Sequence, residues 1–125
     1  MSEAMTLKDR RVLVVEDDTM ISMMVETMLD ELGCLVVGPA AGLSEALALA
    51  NGEVAIDAAI LDVNLGGQPV FPVADRLRAR GVPMVFTTGY GDDALREADR
   101  DCAILHKPYR VNDLAAAMGV ALGLS

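Results

Sequence analysis

Basic residues are scarce in this chain. Its 10 lysines and arginines face 19 aspartates and glutamates, a formal charge of −9, which opposes the phosphate contacts that supply most nucleic-acid affinity. Direct binding to DNA, RNA or an anionic membrane is therefore not expected. No stretch reaches the roughly 18 apolar residues that span a bilayer, and the mixed acids and bases of the first residues leave no apolar core for a secretory signal. The expected compartment is the cytoplasm. Cysteine is sparse as well: Cys34 and Cys102 lie in or beside apolar strand-like segments without metal-type spacing, and they are read as small hydrophobes rather than as a disulfide. There is no tryptophan, and Tyr90 and Tyr109 are the only tyrosines. The sole histidine, His106, is expected to act neither as a ligand nor in phosphotransfer.

Apolar residues are what the chain has in quantity. They make up 53% of 125 residues, with a mean hydropathy of +0.37, which fits one compact domain (1–125, core about 11–122) and leaves no room for a second.

Strand and helix patterns alternate along it. Val12 to Val15 is a short β-branched run, after which Met20, Ile21, Met24, Val25, Met28, Leu29 and Leu32 recur at helical spacing, as one face of an amphipathic helix does. Asp18 or Thr19 can cap that helix and Gly33 can end it. Most of its methionines are expected to pack on the helix face, with Met23 the exposed exception. Leu35 to Val37 reads as a second strand broken by Gly38-Pro39, Ser44 to Ala50 as a helix, and Ala58 to Leu61 as a third strand. After a Gly66-Gly67 loop come a helix over Val73 to Arg80, a strand over Pro83 to Thr87, a weakly periodic helix over Asp92 to Arg100, a strand over Ala103 to Leu105, and a closing helix over Val111 to Leu122. Repeated strand-helix units require right-handed crossovers and a parallel sheet covered on both faces. The expected fold is α/β: a flavodoxin-like, doubly wound, five-stranded parallel sheet of order 2-1-3-4-5 with five helices.

That order gathers three separated pieces at one edge. Glu16-Asp17-Asp18, Asp62 and Lys107-Pro108 each follow an apolar strand-like run, and ligands of such sheets collect at the C-terminal ends of the strands. Three carboxylates crowded at about 4 to 5 Å repel by roughly 3 to 4 kcal/mol per pair at an effective dielectric near 20. They need a counter-charge, and Mg²⁺ suits hard oxygen ligands that share it with phosphate oxygens. Lys107 adds a point charge on a backbone that the following proline restricts, able with the metal to neutralise charge developing in phosphoryl transfer. Asp62 is then the candidate nucleophile, a carboxylate able to form an aspartyl phosphate.

At these residues the sequence resembles the receiver domain of two-component response regulators, in a stand-alone, chemotaxis-regulator-like form. The resemblance covers roughly Arg11 to Leu122 and rests on Val14-Val15-Glu16-Asp17, on Asp62 after strand three, on Thr88 after strand four, and on Lys107-Pro108-Tyr109 after strand five. It implies that Asp62 accepts phosphate from a histidine kinase or phosphotransfer protein. Glu16, Asp17, Asp62 and the carbonyl of Asn64 would bind Mg²⁺, Thr88 would hydrogen-bond the phosphate, and Lys107 would pair with it. Such a protein is a signalling phosphoacceptor that catalyses its own phosphorylation and dephosphorylation, not an enzyme in the usual sense, and it signals by docking on a protein target or by onward phosphotransfer.

The chain departs from the commonest receiver pattern in three places. Gly66 stands where proline is usual, and with Gly67 it is expected to make the loop more pliable. Phe86-Thr87-Thr88-Gly89-Tyr90 resembles a variant subfamily with a Phe-x-Thr-Gly-Tyr signature, and Ile104 occupies the position of the usual switching aromatic. Thr88 and Tyr90 are accordingly the expected switch, with Tyr90 changing its exposure on phosphorylation. Asp18 is read as a helix cap rather than a ligand. A haloacid-dehalogenase-type phosphatase would need an aspartate where Asn64 stands, and a flavodoxin-like cofactor binder would need a glycine- and hydroxyl-rich loop in place of the three acids. A phosphorylation-independent pseudo-receiver, acting only as an interaction module, is the remaining alternative.

Overall fold

Apolar runs bounded by glycine and acidic residues become the strands of one sheet. The computed structural model describes residues 7–89 and 95–124. Along them run β1 (Arg11–Val15), α1 (Thr19–Glu31), β2 (Leu35–Ala40), α2 (Leu43–Asn51), β3 (Ala58–Asp62), a ribbon of β4 (Asn64–Leu65) and β5 (Gln68–Pro69), α3 (Phe71–Ala79), β6 (Met84–Thr88), a 3₁₀ turn (Glu97–Asp99), β7 (Ala103–His106) and α4 (Val111–Ala121). The parallel sheet has the order β2-β1-β3-β6-β7. With the ribbon set aside, this is the expected order 2-1-3-4-5.

Side chains along the strands alternate between two covered faces, as the two-residue period of a strand requires. Leu13, Val15, Ala59, Leu61, Met84 and Phe86 point to a core closed by Ala46 and Ala50 of α2 and by Val73, Ala74 and Leu77 of α3. Val12, Val14, Ile60 and Val85 point to a second core closed by Val25 and Leu29 of α1 and by Leu114 and Met118 of α4. Among the described residues, no helix is long and apolar enough to cross a membrane.

Several expectations are corrected. The second strand does not break at Gly38-Pro39 but continues to Ala40. The pairing jumps from Leu13–Val37 to Val15–Ala40, so an extra residue bulges out, and β2 is an edge strand, where a missing proline N–H costs no ladder bond. Met20 and Met24 do not pack: Met20, Met23 and Met24 are 75%, 61% and 52% exposed, because Val25 and Leu29 already fill the helix stripe that meets the sheet. Four complete α-helices, not five, lie among the described residues. Of the segment expected to form the remaining helix, residues 92–94 lie outside the described residues and Glu97–Asp99 is a 3₁₀ turn.

Charge holds residues 96–99, the described part of that segment, in place. Asp99 is fully buried and accepts from the Arg78 guanidinium of α3 at 2.6 Å and from Arg96 Nε at 2.8 Å. Arg96 also reaches back to Asp75 of α3 at 2.8 Å and lies 4.5 Å over the Phe71 ring. These contacts pin residues 96–99 to α3 through side chains. Both arginines keep contact with water, so the desolvation cost is smaller than for a wholly buried pair. Asp99→Ala should lower the unfolding free energy by about 2–3 kcal/mol without changing the denaturant slope in urea melts. A loss no larger than that of an exposed ion pair, below about 1 kcal/mol, would mean the network holds nothing.

Candidate functional site

Sheet order decides which polar residues meet. Asp62 is the last residue of β3 and pairs with Thr87 across to β6, while Thr88 pairs with His106 across to β7. The Lys107 N–H donates to the Thr88 carbonyl at 2.9 Å, and the Glu16 N–H donates to that of Ala40 at 3.0 Å. The strand ends thus carry Glu16, Asp62, Thr88 and Lys107 on regular backbone rather than on free loops. Asp18 caps α1, accepting from the N–H groups of Met20 and Ile21 at 2.9 and 3.1 Å.

Glu16, Asp17 and Asp62 bring carboxylate oxygens within 4.8 Å of one another. Lys107 Nζ lies 2.8 Å from Glu16 Oε1 and 3.1 Å from Asp62 Oδ2, and Glu16 Oε2 accepts from the Asp18 N–H at 3.0 Å. An open cleft of about 460 Å³ is lined by Asp17, Asp62, Asn64, Gly66, Thr88 and Lys107 among others. Glu16, Asp62 and Thr88 are buried and Asp17 is exposed. His106 is exposed at the end of β7, and Tyr90 lies outside the described residues.

The site is short of positive charge. Burial, followed by the neighbouring Glu16, pushes the Asp62 carboxyl up to about 7 despite Lys107. Burial also acts to raise Asp17, but hydrogen bonds with Asp62, Glu16 and the Gly66 amide outweigh it and hold that carboxyl below its usual range. Burial pulls Lys107 down, and its two carboxylate partners outweigh that and keep the ammonium above its usual value. Three carboxylates against one ammonium leave two negative charges when all are ionised, and hard oxygens at this spacing fit a divalent cation.

Two features escaped the sequence reading. Asn64-Leu65-Gly66-Gly67-Gln68-Pro69 is not simply a pliable loop but a two-stranded ribbon, with Asn64 opposite Pro69 and Leu65 opposite Gln68. A Gly-Gly pair between two short extended segments is the signal that could have found it. The Tyr109 hydroxyl is buried without a hydrogen-bond partner, and burial, then the charges of Glu16 and Asp62, raise it above the usual tyrosine range. No motif distinguishes such a hydroxyl from a packing tyrosine.

The raised Asp62 pKa has a consequence for stability. The unfolded chain ionises Asp62 near 3.8 and the folded chain near 7, so its contribution is fully present below about pH 4 and is lost as the pH rises to about 7. In the metal-free protein, Asp62→Asn should gain stability relative to wild type by on the order of 2–4 kcal/mol between pH 4.5 and 7.5. Chemical melts across that range check it, and a constant difference between the two proteins would show that Asp62 titrates normally.

Comparison with known proteins adds to this geometry. A model of the response regulator receiver domain matches residues 12–118. The transcriptional regulatory protein PdtaR of Mycobacterium tuberculosis is 33% identical over 117 residues, which is 90% of this chain and 57% of that protein. The chain spans only about half the length of the curated relatives it matches, 57% of PdtaR and 43% of the phyllosphere-induced regulator PhyR of Methylorubrum extorquens. The solution structure of SdrG from Sphingomonas melonis Fr1 is 41% identical, with a TM-score of 0.80 over 98% of this chain and 99% of that one. The BeF3-activated conformation of SdrG from Pseudomonas melonis Fr1 is 42% identical, with a TM-score of 0.75 over 90% of this chain and 95% of that one.

Proposed function

The chain belongs to the response regulator receiver domain family of two-component signalling, and on that premise we propose that Asp62 accepts a phosphoryl group from the phosphohistidine of a histidine kinase or phosphotransfer protein in the cytoplasm. The observation that carries this reading is the placement of a buried carboxylate at a strand end, 3.1 Å from Lys107 Nζ and within 4.8 Å of oxygens from two further acids. Bound at Glu16, Asp17, Asp62 and the Asn64 carbonyl, Mg²⁺ would supply the charge that lets Asp62 stay ionised and that phosphoryl transfer demands.

The chemistry follows from the residues. A carboxylate oxygen of Asp62 attacks phosphorus, an O–P bond forms, the P–N bond to the donor histidine breaks, and the imidazole nitrogen leaves with the electron pair. The product is a mixed anhydride, which later hydrolysis by water returns to carboxylate and phosphate. Lys107 is held against Asp62 before the transfer and offers its ammonium to the phosphoryl oxygens afterwards. Thr88, buried at the end of β6 on the cleft wall, is the group whose hydroxyl would meet the new phosphate. Exchange of partners by Lys107 and Thr88 is the local event a docking target would read. The BeF3-activated conformation of a 42% identical relative supports the reading, since beryllofluoride imitates a phosphoryl group on a carboxylate.

With acetyl phosphate and Mg²⁺, intact mass should show one added phosphoryl group on the wild type and none on Asp62→Asn. Labelling of Asp62→Asn to the wild-type level would reject Asp62 as the acceptor, and an unlabelled wild type in the presence of its kinase would favour the pseudo-receiver reading. Separately, millimolar Mg²⁺ should raise the melting temperature of the wild type, as a ligand selective for the native state does. The same addition should leave the double variant Glu16→Gln, Asp17→Asn unmoved; an equal rise in both would place the cation elsewhere.

A further inference from the structure

The turn after Asp62 presents a backbone donor to the acidic cluster, and we propose that Gly66 is a positioning residue that holds the Asp17 carboxylate for its cation. The inference deepens the reading of Asp17 as a Mg²⁺ ligand and rests on it. Gly66 and Gly67 have φ of +57° and +93°, the positive pair that a two-residue type I′ hairpin turn demands. The Gly67 N–H donates to Asn64 Oδ1 at 2.7 Å, which fixes the turn from within. The Gly66 N–H points outward and donates to Asp17 Oδ2 at 3.1 Å, a bond between residues 49 positions apart.

Asp17 is the exposed member of the cluster, so without such a contact its side chain would pay rotamer entropy on meeting a cation. With Oδ2 engaged by the amide, the carboxylate offers its other oxygen as a single ligand, the mode that suits a small octahedral ion. The residue type follows from the amide and the dihedral rather than from crowding. A Cβ at Gly66 would meet only Asp17 Oδ2, at an ordinary 3.8 Å. Proline, the usual residue here in the receivers this chain resembles, has no N–H and a φ near −65°, and so supplies neither. Asparagine keeps the N–H and tolerates a positive φ.

Two measurements test this without any phosphorylation. In metal-free, isotope-labelled protein, a trans-hydrogen-bond coupling between the Gly66 amide nitrogen and the Asp17 carboxyl carbon is expected; its absence would overturn the proposal. Calorimetric Mg²⁺ titration should give Gly66→Asn an affinity within about twofold of wild type. Gly66→Pro should bind about tenfold more weakly, the scale of one net hydrogen bond. Equal affinity in Gly66→Pro and wild type, or an equal loss in both variants, would overturn it, the latter because turn shape and not the donor would then matter. A wild type that takes up no Mg²⁺ would overturn the cation site and this proposal together. Normal Mg²⁺ uptake with an Asp62 inert to beryllofluoride would overturn only the phosphoacceptor reading.

Discussion

Lys107 stands 2.8 Å from Glu16 and 3.1 Å from Asp62, and the arrangement around it is governed by the mismatch between its one positive charge and the three carboxylates it faces. Burial, and after it the neighbouring Glu16, push Asp62 up to about 7, whereas hydrogen bonds with Asp62, Glu16 and the Gly66 amide hold Asp17 low against its own burial. The fold maintains the mismatch at some cost in stability, because every member of the cluster is tied down. Glu16 is held by Lys107 and the Asp18 amide, Asp17 by the Gly66 amide, and Asp62 by Lys107 and the Asn64 N–H at 3.2 Å. Under the proposed function, a divalent ion held by these oxygens would relieve their mutual repulsion.

The rest of the molecule holds that edge in two ways. β1, β3 and β6 are buried on both faces, so the main chain carrying Glu16, Asp62 and Thr88 cannot shift without opening two cores. Residues 95–99, between β6 and β7, are fastened differently. Leu95 is buried against the α3 side of the sheet, and Asp99 is clamped between Arg78 and Arg96. Thr88 thus ends a strand buried on both faces, and Gly89, at the cleft wall, is the first residue past it.

Much of the fold was legible in advance. A short β-branched run at Val12 to Val15, an apolar run at Ala58 to Leu61, a helical stripe after Asp18 and a glycine stop at Gly33 identified the alternation, and the expected order 2-1-3-4-5, which brings the ends of the first and third strands side by side, is the one observed. The misses have separate causes. Gly38-Pro39 reads locally as a break, yet an edge strand tolerates the missing donor. Met20 and Met24 match a helical stripe, but Val25 and Leu29 are the buried apolar residues of that helix, with Ile21, Met28 and Leu32 packed beside them. The 3₁₀ turn of Glu97–Asp99 was read as part of a helix because its anchors, Arg78 and Asp75, lie about 20 residues upstream and no local pattern announces them.

The residue types of the site were determined by the sequence alone: three acids, a threonine and a lysine, each following an apolar run whose period and boundaries specify a buried strand. Local chemistry suffices there, because a carboxylate placed directly after a parallel strand must emerge at the ligand-binding edge. Tertiary structure alone decided how those groups share protons and partners. That Lys107 bridges Glu16 and Asp62 rather than Asp17, that Gly66 donates to Asp17, and that the Tyr109 hydroxyl is buried unpaired all depend on distances between residues 45 or more positions apart in most pairs. Electrostatic and hydrogen-bond energies change steeply over an ångström, whereas sequence spacing resolves position only to the nearest strand end.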